Sequence, residues 1–181
     1  PLVRECLKLT GIDGGVEITS TADIPAKGTG LGSSSSYTVG LLNAIYEFQG
    51  IKVDKYKLAN DACNIEINRC GEPIGKQDQF AASFGGLRLY EFLPNEDVII
   101  EEIKISEDFK NFFDNYTLSF FLGSTRSASK ILLKQTNEIN KKKKKLALRR
   151  MVEIAREFKI SVEDSNIDNL NELMNENWSL K

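Results

Sequence analysis

Gly28-Thr29-Gly30-Leu31-Gly32-Ser33-Ser34-Ser35-Ser36 is the stretch on which the reading of this chain turns. Glycines let backbone amides come close to a ligand. Upstream, Gly15–Asp23 alternates around Val16 and Ile18 and predicts a strand. Downstream, Val39, Leu42, Ile45 and Tyr46 recur at helical spacing until Gln49-Gly50 ends the run. A helix that begins directly after such a loop turns its positive end and its unpaired N–H groups toward it. The combination predicts an anion site, in which serine hydroxyls supply hydrogen bonds or a magnesium ligand.

Two common phosphate loops do not fit. A P-loop would end in Gly-Lys-Ser/Thr, which is absent here. A dinucleotide fingerprint beginning at Gly28-x-Gly30 would need glycine where Ser33 stands. Taken alone, the same composition also fits a flexible connector.

Two carboxylates give the loop a chemical context. Asp54 predicts the N-cap of a helix running to about Arg69, and Ala59, Ala62, Cys63 and Glu66 fall on one face of it. A carboxylate beside an apolar stripe is paired, neutral or holding a cation. Asp78 lies in Gly71-Glu-Pro-Ile-Gly-Lys-Gln-Asp-Gln-Phe80, between a turn and a short helical segment, Gln77–Ser83, that ends at Gly85-Gly86. By themselves these residues read as a helix-edge salt bridge and a turn aspartate, and Lys76 as a turn lysine. Together with a phosphate-type loop they supply what phosphoryl transfer needs: a cradle, a magnesium ligand, and a group to orient the attacking hydroxyl.

Composition narrows the chemistry. The 181 residues contain no histidine, which removes serine–histidine nucleophile schemes and imidazole acid–base catalysis. Proton transfer would fall to a carboxylate, Lys, Tyr or Cys. The net charge of −2 argues against a generally basic nucleic-acid binder. Cys6, Cys63 and Cys70 form no CxxC pair and no even set, so reduced thiols in a cytoplasmic protein are expected. No apolar run reaches the ~18–20 residues of a membrane span.

The motifs resemble those of the GHMP kinases, the galactokinase, homoserine, mevalonate and phosphomevalonate kinase superfamily. Pro25-Ala-Lys-Gly-Thr-Gly-Leu-Gly-Ser-Ser34 is similar to its central phosphate-binding motif. Cys70–Phe80 with Gly85-Gly86-Leu87 looks most like the aspartate segment of its D-glycero-D-manno-heptose 7-phosphate kinase group. The resemblance runs from about Gly14 to at least Leu133. It implies an ATP- and Mg2+-dependent kinase acting on a sugar or sugar-phosphate hydroxyl. In that scheme Lys27, Gly28, Gly30, Leu31, Gly32, Ser33, Ser34 and Ser35 cradle the nucleotide. Ser34, with Ser33 as its alternative, and Glu66 hold magnesium; Glu66 stands twelve positions before Asp78, as in galactokinase-like members. Asp78 takes or orients the proton of the acceptor hydroxyl, and Arg126 contacts a sugar phosphate.

The resemblance also implies an α+β fold. A partial nucleotide domain over 1–113, of a fold shared with a ribosomal-protein domain, precedes the start of a ferredoxin-like C-terminal domain over 114–181. The family's first motif is not seen before Gly14, nor its third after Trp178, so the chain is read as the middle of a longer kinase. Further strands are predicted at Leu87–Phe92, Val98–Ile105 and Thr117–Leu122, with a turn at Pro94-Asn95. A mostly helical stretch is predicted over Arg126–Phe158, with a solvated basic run at Lys141–Lys145, and then a helical tail bearing Leu170, Leu173, Met174 and Trp178. An incomplete sheet leaves open edges, so self-association as a homodimer is expected. Two other readings remain open. One is a folded but catalytically inactive piece that binds nucleotide weakly; the other is a nucleic-acid-binding module, which the charge and the lack of aromatic–basic interleaving disfavour.

Overall fold

The computed structural model describes residues 1–22, 30–118, 120 and 142–181. They fall into two compact units. The first is 1–85, and the second begins at Gly86. Among the described residues the first unit is helical. It contains α1 (Leu2–Thr10), α2 (Ser33–Phe48), α3 (Lys55–Cys63) and α4 (Gln77–Phe84). α3 runs on into a π-helical segment at Asn64–Arg69, where the Cys70 amide donates to the Ile65 carbonyl at 2.9 Å.

Burial follows the sequence pattern closely. Val39, Leu42, Ile45 and Tyr46 of α2 are buried, and Leu58, Ala62 and Ile65 pack into the same core with Cys6 of α1. Ala59, Ala62, Cys63 and Glu66 are all at most 5% exposed, so the predicted inner face of the second helix is the observed one. Asp54 is its N-cap and accepts from the Lys57 amide at 2.7 Å. Phe80 anchors α4: it is fully buried, edge-on to Tyr56 and stacked on Phe84.

α1 has no counterpart in the sequence reading. It is amphipathic, buries Glu5 and Cys6, and closes on Gly11 in the left-handed conformation. Arg4 and Arg69 face the Glu5 carboxylate at 2.9 and 3.9 Å.

The predicted strand at Gly15–Asp23 is corrected over its described part. Residues 16–22 belong to no helix or strand. Alternation makes a segment ready to pair, but a strand also needs a ladder partner, and none is present among the described residues. Val16 and Ile18, with Leu7, Ile12, Leu41 and Phe48, instead help line an open groove of about 400 Å³.

The second unit holds the sheet. β1 (Arg88–Phe92) and β2 (Val98–Glu102) form an antiparallel hairpin with Tyr90 opposite Ile100. The predicted turn closes it, with the Leu93 amide donating to Asp97 at 2.9 Å. β2 stops three residues short of the predicted Ile105, where the chain turns into α5 (Glu107–Tyr116) under a Ser106 cap. The α+β class therefore holds, while the described sheet is two-stranded and lies outside the first unit.

Thr117–Leu122 is corrected in the same way. Thr117, Leu118 and Phe120 lie in neither helix nor strand, and the remaining positions are outside the described residues. A short apolar run does not by itself select a strand. Of the helical stretch predicted over Arg126–Phe158, residues 126–141 lie outside the described residues; the rest belongs to α6 (Lys142–Glu163), which extends beyond Phe158, and α7 (Ile167–Leu180) follows. Arg150 ties the two together through Glu176 of α7 at 2.6 and 2.8 Å, while Glu157 of its own helix accepts from it at 2.6 Å. In the tail, Leu170 and Leu173 are buried, whereas Met174 and Trp178 are exposed. No described helix is long and apolar enough to cross a membrane.

All three cysteines are free thiols. Burial raises Cys6 and Cys63 to about 12, and it also raises Cys70. At pH 8.5 the thiolate fractions of Cys6 and Cys63 are thus minute, so alkylation in the native chain should run roughly a thousandfold slower than after unfolding. Iodoacetamide labelling read by mass spectrometry checks this, and equal native and denatured rates would contradict the packing.

Candidate functional site

The glycine–serine loop enters α2 through two left-handed residues, Gly30 at φ 75° and Gly32 at φ 64°. Gly32 is the N-cap and lends the helix no side-chain acceptor. The first intrahelical bond is Ser36 N–H to the Gly32 carbonyl, so helix geometry leaves the Ser33, Ser34 and Ser35 amides without intrahelical acceptors. These amides and the positive helix end form a short anion-binding edge. Leu31 is 67% exposed, whereas the Ser35 side chain is buried. Ser35 therefore has only its backbone to offer a ligand.

Gly32 serves a second purpose. A Cβ at this position would lie 3.1 Å from Asp78 Oδ2 and 3.2 Å from its Cγ. Glycine is thus required twice, for the left-handed backbone and for the close approach of the Asp78 carboxylate. Asp78 sits in the first turn of α4 and is exposed, so the loop and this carboxylate share one open edge.

Behind that edge lies Glu66, fully buried on the π-helical segment. Ser34 Oγ donates to its Oε1 at 2.6 Å, and Gln79 Nε2 donates to its Oε2 at 2.5 Å. Both donors are neutral, and among the described residues no cation forms an ion pair with Glu66. A buried carboxylate is stable only when paired, hydrogen-bonded or bound to a metal. Here two hydrogen bonds are in place, and one of them comes from a serine at the mouth of the loop. π-turns of this kind recur where a side chain must be re-aimed at a functional position.

The donor set fits magnesium. Ser34 Oγ and Glu66 Oε1 are hard oxygens, and their separation is a few tenths of an ångström short of the octahedral edge of about 2.9 Å around Mg2+. No cluster of three or more His, Cys, Asp or Glu ligands exists among the described residues. Magnesium is commonly held this way, by one or two protein oxygens with phosphate and water completing the shell.

The structure thus brings together Gly30, Gly32, Ser34, Glu66 and Asp78. Of the two serines left open by the sequence, Ser34 is the one bonded to Glu66. Lys27, Gly28 and Arg126 lie outside the described residues. Gln79 was given no role from sequence; its only signal was its place beside Asp78. The apolar groove is separate, since none of its lining residues belongs to this set.

With this geometry in place, comparison with known proteins becomes informative. Residues 2–86 match the family described as GHMP kinases N terminal domain. The match spans the first described unit and stops at the start of the second. The chain is 29% identical over 160 residues to a D-glycero-alpha-D-manno-heptose 7-phosphate kinase of Campylobacter jejuni, covering 88% of this chain and 47% of that protein. It is 34% identical over 107 residues to a galactokinase of Pyrococcus furiosus, covering 59% of this chain and 29% of that one. In fold it resembles a D-glycero-D-manno-heptose 1-phosphate kinase from Bacteriodes thetaiotaomicron, with a TM-score of 0.74 at 24% identity over 99% of this chain and 54% of that one. The chain therefore spans about half the length of the heptose kinases and less of the galactokinase.

Gly32→Ala tests the shared edge. It forces a left-handed alanine, costing roughly 1–2 kcal/mol, and pushes the Asp78 carboxylate away. Urea unfolding should show that loss, and an unchanged midpoint would contradict the left-handed conformation at Gly32.

Proposed function

We propose that this chain forms the phosphate-loop half of the active site of an ATP-dependent sugar kinase, which transfers the γ-phosphoryl group to a hydroxyl of a sugar or sugar phosphate. The observation that carries the reading is the convergence of three separate segments. The Gly30–Ser35 loop, the Ser34–Glu66 pair and Asp78 meet at one helix N-terminus. The kinship with sugar kinases supports it, and the two heptose phosphate kinases favour a heptose-phosphate-like acceptor.

In this reading the amides of the loop bind the ATP phosphates and neutralise charge as it moves toward the leaving oxygen. Ser34 and Glu66 would hold the magnesium, which would supply positive charge against the phosphates. Asp78 accepts the proton of the acceptor hydroxyl as its oxygen bonds to the γ-phosphorus; the bond to the β–γ bridging oxygen breaks and ADP departs. A carboxylate does this unaided, in keeping with a chain that has no histidine. Lys27 and Gly28 extend the cradle, and Arg126 holds the acceptor's phosphate. The same proposal divides the chain into a nucleotide domain at 1–113 and the start of the second kinase domain at 114–181. It also makes this a cytoplasmic protein, self-associating through open sheet edges.

Calorimetric titration with ATP and Mg2+ tests the reading on the chain itself. A magnesium-dependent signal in the micromolar range is expected, while no heat at millimolar ATP would favour an inert folded module. Where phosphoryl transfer is assayed, Asp78→Asn should lower turnover by about 10²–10⁴ while ATP still binds. Near-normal turnover would remove Asp78 from the role.

A further inference from the structure

We propose that Gln79 is the positioning residue of this cation site. It is argued to act through Glu66 rather than on substrate, so the inference rests on the magnesium reading above. Its amide nitrogen holds Glu66 Oε2 at 2.5 Å, which leaves Oε1 as the oxygen turned to Ser34. A carboxylate otherwise has a soft terminal torsion, so without a second donor its plane would not be held toward Ser34.

The cost of keeping an amide here supports the assignment. Gln79 is fully buried, and among the described residues its Oε1 has no hydrogen-bond partner. Turning the amide over would not cure this, because it would set the carbonyl oxygen against the Glu66 carboxylate. Phe80, its neighbour in the chain, is fully buried and apolar. Packing alone would be better served at this position by a side chain of similar volume with no polar atom. A glutamine that leaves one of its own polar atoms orphaned is explained by what its other end does for Glu66. Local rules broken in this way cluster at functional positions. Groups that orient a metal ligand typically contribute ten- to hundredfold to metal affinity.

The test measures binding of Mn2+ with ATP to this chain by the electron paramagnetic resonance spectrum of protein-bound manganese, with Mn2+ and ATP without protein as the reference. Gln79→Met keeps the volume and removes the donor. It is expected to raise the Mn2+ dissociation constant ten- to hundredfold and to lower the melting temperature of the metal-free chain, because Glu66 Oε2 loses its donor. In a Glu66→Gln background the same substitution should change the constant less than twofold, because there is no longer a carboxylate to position. Gln79→Asn retains the amide one methylene too short to reach Glu66. It should weaken Mn2+ to the same degree, and it carries the test if the methionine variant does not fold. Unchanged affinity in either folded variant, or losses that simply add in the Glu66→Gln background, would overturn the positioning role. If the parent chain itself binds no Mn2+ with ATP, the magnesium reading fails and the proposal fails with it.

Discussion

A fully buried carboxylate, Glu66, is the constraint around which this unit is arranged. It has to be satisfied without water, and its two oxygens are met by donors from two different segments, Ser34 at the head of α2 and Gln79 in α4. Those two bonds fix the loop–helix junction relative to the aspartate segment. Because Gln79 and Asp78 are adjacent on one helix, holding the first also places the second. Gly32 completes the arrangement by offering no side chain where the Asp78 carboxylate comes close. One electrostatic requirement thereby sets the geometry of the open edge.

Much of this was legible from residue type and spacing. The Gly/Ser run before a helical period marks a helix N-terminus with unpaired amides. Glu66 was suspicious because it shares a face with Ala59, Ala62 and Cys63, and its burial shows that the suspicion followed from periodicity alone. The resemblance to GHMP kinases added the pairing of Ser34, Glu66 and Asp78, a relation between distant segments that no local pattern states. The structure sets these three around one helix N-terminus.

Other features were not legible, for identifiable reasons. Gln79 is uncharged, so nothing in its sequence surroundings signals a buried contact with a carboxylate. The π-turn at Asn64–Arg69 depends on widened helical rings, which the 3.6-residue period hides. Val16 and Ile18 alternate as a strand would, yet pairing is a property of two segments and not of one. α1 and α5 carried signals that went unread: an amphipathic run closed by Gly11, and Ser106 followed by two acidic residues. Thr117, Leu118 and Phe120, the described part of an apolar run, show that hydrophobicity alone does not select a strand.

The central claim is that Ser34 and Glu66 are the protein's two oxygens on the nucleotide's divalent cation. Anomalous diffraction from crystals of this chain grown with Mn2+ and a non-hydrolysable ATP analogue tests it most directly. The account predicts one manganese peak at bonding distance, about 2.1–2.2 Å, from both Ser34 Oγ and Glu66 Oε1, with phosphate oxygens completing its shell. Bound nucleotide with no manganese at that pair, or manganese held elsewhere while the Ser34–Glu66 hydrogen bond stays closed, would contradict it.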